Sequence, residues 1–257
     1  MDHVFPFGRP AVAAAPAPRP APLFILGAYP SALHIHWIPP APHRPVRALA
    51  VDVEPHAFWN GADEEERVEA WKRRVGWVEA WGLAQPAGRL NGSSGAWVDT
   101  NVLGPLGVQR ADAWITDCLP HYCASAGGAR RIADTYAPFA VAYGLPAAVL
   151  PEHPSESVIV RAAARELERL RAELRTASPG VVVTLGNAAL RVLRQIVDGE
   201  LPQRLRSDAA TYGKPLPARF EGQAFEVLPL AHPAAPTRYQ DAHARWQLAS
   251  RAVARRR

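Results

Sequence analysis

Val181-Val182-Val183-Thr184-Leu185-Gly186-Asn187-Ala188-Ala189 is the stretch that decides the fold. Five apolar or β-branched residues follow one another without alternation, the pattern of a strand covered on both faces. Gly186-Asn187 then turns the chain into a helix expected over 188–197. Upstream, Val160, Ala163, Leu167, Leu170 and Leu174 recur at three and four residues, the spacing of one amphipathic helix. The Arg and Glu residues between them read as a solvated face, and Ser178-Pro179-Gly180 ends the helix. Helix, covered strand, helix is the alternation of an α/β domain with a mostly parallel sheet.

Working outward, four more apolar runs read as strands: Leu23 to Leu26 before Gly27, Val46 to Val53, Ala113 to Thr116, and Ala224 to Leu230. The acidic run Asp63-Glu64-Glu65-Glu66 suits the positive end of a helix predicted to reach Trp81. A last helix runs toward Arg255-Arg256-Arg257. The expected architecture is an α/β domain with a mostly parallel central sheet over residues 23–257. Residues 1–22, Pro/Ala-rich from Pro10 to Pro22, are expected to form an arm over the surface.

Composition narrows the function classes. A hydrophobic fraction of 48% over 257 residues excludes a mainly disordered chain. No apolar run approaches the ~20 residues that span a bilayer. The start, Met1-Asp2-His3-Val4, lacks the features of a secretory signal, so a cytoplasmic protein without a membrane partner is expected. Two cysteines are too few for a disulfide scaffold. His34 and His36 share one side of a strand but lack an evident third ligand, so no metal and no cofactor is expected. Ser31 lies outside any Gly-x-Ser-x-Gly setting, which argues against acyl hydrolysis. The net charge is +5, and only Lys72 and Lys214 among the basic residues are lysines. Arginine gives planar, bidentate contact to phosphate, so the balance permits a nucleic-acid partner. No obligate protein partner is inferred.

Four short motifs fall at strand ends, where open α/β sheets collect their chemistry. They are Gly27-Ala28-Tyr29-Pro30-Ser31-Ala32, Thr116-Asp117-Cys118, Gly186-Asn187-Ala188-Ala189 and Ala231-His232-Pro233-Ala234-Ala235-Pro236. Together, from about Leu23 onward, they resemble the uracil-DNA glycosylase superfamily, with its Gly-x-x-Pro motif, Leu-Gly-x-x-Ala turn and His-Pro-Ser/Ala loop. Phe58-Trp59-Asn60 after Glu54-Pro55 is similar to the Phe-Trp of several branches. Some branches carry an iron–sulfur cluster, but Cys118 and Cys123 are too few to ligate one.

The resemblance implies a three-layer α/β/α sandwich with a mostly parallel central sheet, and an enzyme that flips a nucleotide out of DNA and breaks its glycosidic bond. It gives His232 the stabilisation of the departing base anion. Pro233 to Pro236 become the loop pressed into the minor groove, with Pro236 where much of the family has a leucine wedge. Arg238 and Lys214 are then phosphate contacts, Asn187 faces DNA, and Phe58 stacks on the flipped base.

The departures from the family point to the substrate. Ala28 and Tyr29 stand where the uracil enzymes carry the residue that positions water, and Tyr29 is left to the base pocket. Small Ser31 replaces a bulky aromatic that excludes substituents at carbon 5. Asp117 stands where an asparagine often reads uracil. An ionised carboxylate only accepts hydrogen bonds, so it suits the 4-amino group of cytosine and opposes the 4-oxygen of uracil. The expected substrate is a 5-substituted cytosine, such as hydroxymethylated or glucosylated cytosine in phage DNA, with antiviral defence as corollary. Glu54, or else Asp52, takes over water activation. With two lysines as the available amines, a monofunctional enzyme leaving an abasic site is expected. Three alternatives stand beside this: a uracil or deaminated-base repair glycosylase, an inactive DNA-binding module, and a more distant small-molecule hydrolase using Ser31.

Overall fold

Uninterrupted apolar runs become strands buried on both faces. The computed structural model describes residues 3–208, 211–235 and 237–254. Its strands are β1 (Leu23–Gly27), β2 (Ala32–Ile38), β3 (Val46–Val53), β4 (Leu83–Pro86), β5 (Ala113–Asp117), β6 (Val181–Leu185), β7 (Leu216–Phe220) and β8 (Gln223–Leu230). The chain divides into two compact units. The first takes the segments up to Ala14, Pro30–Ser93 and Pro120–Pro154; the second takes Ala15–Tyr29, Ser94–Leu119 and the chain from Ser155 on.

The second unit holds a five-stranded sheet in the order β5-β1-β6-β8-β7. Its first four strands are parallel, and β7 pairs antiparallel with β8 at the edge. Every residue of β1 is buried, as a strand covered on both faces requires. The helices Leu167–Ala177 and Asn187–Leu193 pack on β1, placing Leu170, Leu174, Ala189 and Leu190 in one core with Phe24, Leu26 and Val182. The mostly parallel sheet flanked by helices is the expected α/β sandwich class. Register sets Gly27 beside Asp117, Leu26 beside Thr184, and Leu185 beside Leu230, so four strands end along one edge.

The first unit holds the antiparallel sheet β3-β2-β4. Its core centres on Phe7, whose ring meets Trp37 at 5.6 Å, Trp71 at 5.5 Å and Tyr136 at 5.0 Å. The Phe7 amide donates to the Tyr136 hydroxyl at 2.7 Å, which in turn donates to the carbonyl of Pro146. Phe5, Phe7 and Ala11 are therefore core residues, and the surface arm drawn over residues 1–22 begins only beyond them. Most of the Pro/Ala-rich run from Val12 to Arg19 is at least partly exposed.

Other boundaries differ from expectation for local reasons. The helix from the acidic run is Glu64–Val75; Gly76 takes the left-handed conformation at φ 65 and caps it, leaving Glu79–Trp81 a separate 3₁₀ turn. The single amphipathic helix expected through Val160 to Leu174 is two, Glu156–Ala162 and Leu167–Ala177, with a 3₁₀ turn at Ala163–Arg165 between them. No helix among the described residues is long and apolar enough to cross a membrane. Both cysteines are free and buried.

Candidate active site

The sheet edge of the second unit is built first by Gly186. It adopts φ 89, and its amide donates to the carbonyl of Leu230 at 2.8 Å. A Cβ at this position would lie 3.3 Å from the His232 Cβ in a backbone conformation that side chains avoid, so only glycine lets the two turns approach. His232 Nδ1 accepts from the Ala234 amide at 3.1 Å and is thus unprotonated, leaving the hydrogen on Nε2. Burial pulls its pKa down to about 4, so near neutral pH the ring is an uncharged donor.

Behind this loop runs a chain of hydrogen bonds whose directions fix one another. The Ala231 amide donates to the Tyr212 hydroxyl oxygen at 3.0 Å. The hydroxyl donates to His243 Nδ1 at 2.6 Å, and His243 Nε2 donates to the carbonyl of Asn101 at 3.0 Å. Burial raises Tyr212 to about 12 and lowers His243, so both stay neutral. Tyr212, His243 and Asn101 were absent from the sequence reading, because nothing in local spacing links positions so far apart.

Asp117 closes β5, is 5% exposed, and sits in register with Gly27. Beyond it, the Cys118 and Leu119 amides donate to the carbonyls of Gly27 and Ala28, zipping the two strand-end turns together. Arg169 holds the same turn from the helix. Its Nη2 donates to the carbonyls of Asp117 at 2.9 Å and Cys118 at 3.2 Å, while Nε and Nη1 reach Glu166 at 2.8 Å and Glu173 at 2.7 Å. Burial works against the charged guanidinium, yet the two carboxylates outweigh it and raise its pKa. Glu173 also accepts from Trp114 Nε1 at 3.1 Å. The charged face expected to be solvated is, at Arg169 and Glu173, a brace under Asp117.

The remaining DNA-facing candidates are distributed unevenly. Asn187 Oδ1 accepts from the Leu205 amide at 2.8 Å, which ties the turn after β6 to the loop at 204–208. Asn187, Arg204, Arg206, Asp208, Arg238 and Tyr239 line a cleft of about 370 Å³. Arg204 and Arg206 were missed; their alternate spacing in a Pro-flanked loop was the available signal. Lys214 is exposed and Pro233 half-buried, while Pro236 lies outside the described residues.

In the first unit Ser31, Glu54 and Phe58 come together. Glu54 Oε1 accepts from the amides of Ser31 at 3.0 Å and Phe58 at 3.1 Å. Phe58 is buried in the left-handed region at φ 52, a conformation a bulky residue keeps only when its surroundings hold it. Asp52 is bound instead by Arg74 at 2.7 Å and Arg9 at 3.3 Å. Asp52 and Glu54 are 4% and 3% exposed, so neither is the surface carboxylate that each alone suggests. His34 on β2 is lowered to about 4 by burial, and its amide donates to Asn91. Among the described residues no group of three or more His, Cys, Asp or Glu is placed to hold a metal ion.

A family model described as Uracil DNA glycosylase superfamily matches residues 83–252, well over half of the chain. No curated protein matches it.

Proposed function

The chain belongs to the uracil-DNA glycosylase superfamily, and from that premise we infer that it excises a 5-substituted cytosine from DNA, in the phage setting as a defence. Membership itself implies a DNA glycosylase, a hydrolase of N-glycosidic bonds acting on DNA. The observation that carries the finer reading is Asp117, a buried carboxylate at the carboxyl end of β5 on the edge that also bears Gly186 and His232. Its acceptor-only chemistry matches a 4-amino group and mismatches a 4-oxygen. The Arg169 brace on the carbonyls of Asp117 and Cys118 supports a fixed position for it, and fixed polar partners discriminate most strongly.

In this reading the C1′–N1 bond breaks with its electron pair leaving on the base. The His232 Nε2 hydrogen meets the negative charge developing on the cytosine 2-oxygen, a neutral donor whose Nδ1 is occupied by Ala234. Water adds to C1′ and loses a proton, and the departing base gains one. Glu54 is assigned the water, supported by its burial and by the strained Phe58 loop that its carboxylate organises. Ser31, small where the family has a bulky aromatic, is assigned the room at carbon 5. Asp52, held by two arginines, is given a structural part.

The test is abasic-site formation on uracil-containing duplex, unmodified DNA, and DNAs bearing hydroxymethylated or glucosylated cytosine. Abasic sites confined to modified DNA, and lost in His232→Ala and Asp117→Asn, are expected. Efficient release of uracil would move the protein to base-excision repair. Binding without release on every substrate would make it a DNA-binding module.

A further inference from the structure

Every ion pair among the described residues engages arginines or lysines other than Arg44, Arg47, Arg130 and Arg131. These four are exposed and line one cleft of about 670 Å³ in the first unit. Arg44 and Arg47 come from the turn before β3 and its second residue; Arg130 and Arg131 end the helix Ala126–Arg131. Arg131 is steadied by a hydrogen bond from Nη1 to the carbonyl of Ala48 at 3.1 Å, so part of the cationic wall is fixed in advance. Asp134 is the single carboxylate among the eleven lining residues, and it pairs with none of the four.

Four like charges around one cleft repel one another unless an anion is supplied. Small-molecule sites are mostly apolar with a few polar groups, whereas here four of eleven lining residues are guanidinium-bearing. Guanidinium forks match phosphate oxygens bidentately. We propose that this cleft binds the phosphodiester backbone of DNA, as a docking surface built wholly from residues of the first unit. The choice of DNA as the polyanion rests on the glycosylase reading; the cationic cleft does not.

The experiment is the salt dependence of binding to an unmodified labelled duplex, for wild type and for Arg44→Gln/Arg47→Gln/Arg130→Gln/Arg131→Gln. A triple variant that keeps Arg131, and with it the bond to Ala48, guards against loss of fold. Each phosphate contact adds about −0.9 to the slope of log K against log [salt], so the quadruple variant is expected to lose roughly 3.6 from the slope and the triple variant roughly 2.7. At about 0.1 M KCl their affinity falls by at least about tenfold. Unchanged slopes in both arginine variants overturn the proposal, even if abasic sites still form on modified DNA. A mononucleotide bound as tightly as duplex, and lost in the same variants, reassigns the cleft to free phosphate and also overturns it. Slopes that fall as expected in a protein releasing no base leave the cleft standing and remove the substrate reading.

Discussion

Replacing Arg169 with methionine tests how the end of β5 is held. Methionine keeps much of the apolar stem but removes every donor. Glu173, 8% exposed, then loses its cation, and the carbonyls of Asp117 and Cys118 lose a shared donor. Breaking a buried pair by deleting one partner costs about 3–5 kcal/mol. Here the lower end applies, because the Arg169 side chain is 28% exposed and Glu173 keeps its bond from Trp114. A loss of about 3 kcal/mol is a sizeable part of a typical 5–15 kcal/mol stability. With a urea slope near about 3 kcal/mol/M, the midpoint followed by circular dichroism falls by about 1 M. Glu173→Gln in the Arg169→Met background removes the stranded charge, and the double variant is expected to recover part of the loss, with a coupling of about 1 kcal/mol or more. An Arg169→Met midpoint equal to wild type, or strictly additive variants, would refute the brace and return this face to solvent.

Other expectations follow from the same geometry. Tyr212→Phe leaves the Ala231 amide and His243 Nδ1 without a partner and should cost about 1–3 kcal/mol, with slower base release but unaltered duplex affinity by fluorescence anisotropy. Gly186→Ala forces a side chain into φ 89 against His232, and single-turnover kinetics should show a larger loss in rate than in substrate binding. His34 and His232 titrate near 4 when folded against 6.5 when free, and His243 is lowered as well. Below pH 6.5 the unfolded chain therefore takes up protons that the folded chain refuses. Stability is fully present above 6.5 and declines toward 4; urea midpoints across this range should show it, and His34→Gln should flatten the decline.

The parallel strands were legible because β1, β5, β6 and β8 are short apolar runs that end at Gly27, Asp117, Gly186 and Ala231-His232. Their carboxyl ends gather Asp117, Asn187 and His232 through sheet topology alone. β4 and β7 were missed for a different reason, and β2 was legible only through the strand that sets His34 and His36 on one side. β2 alternates histidine with apolar residues, β4 has four residues with a proline, and β7 alternates as a half-exposed edge strand. Helical spacing marked the apolar stripe Leu167-Leu170-Leu174 but said nothing about Arg169, which turns its long side chain inward to reach backbone carbonyls 52 and 51 residues away. Asp52 and Glu54 show the converse: a carboxylate reads as surface until arginines or amides from other segments are seen around it.

The aromatic core around Phe7 also determines what light reports about this protein. Trp37, Trp59, Trp71, Trp77 and Trp81 all belong to the first unit, against Trp97, Trp114 and Trp246 in the second. Trp71, Trp77 and Trp81 stand with ring centroids 5.3 and 5.6 Å apart in succession, close enough to exchange excitation. Intrinsic emission is thus weighted toward the unit that carries Glu54 and the arginine cleft, whereas the unit bearing Asp117 and His232 contributes three emitters. A fluorescence melt and a circular-dichroism melt of the same sample weigh different parts of the chain, and any gap between the two curves measures how independently those parts come undone.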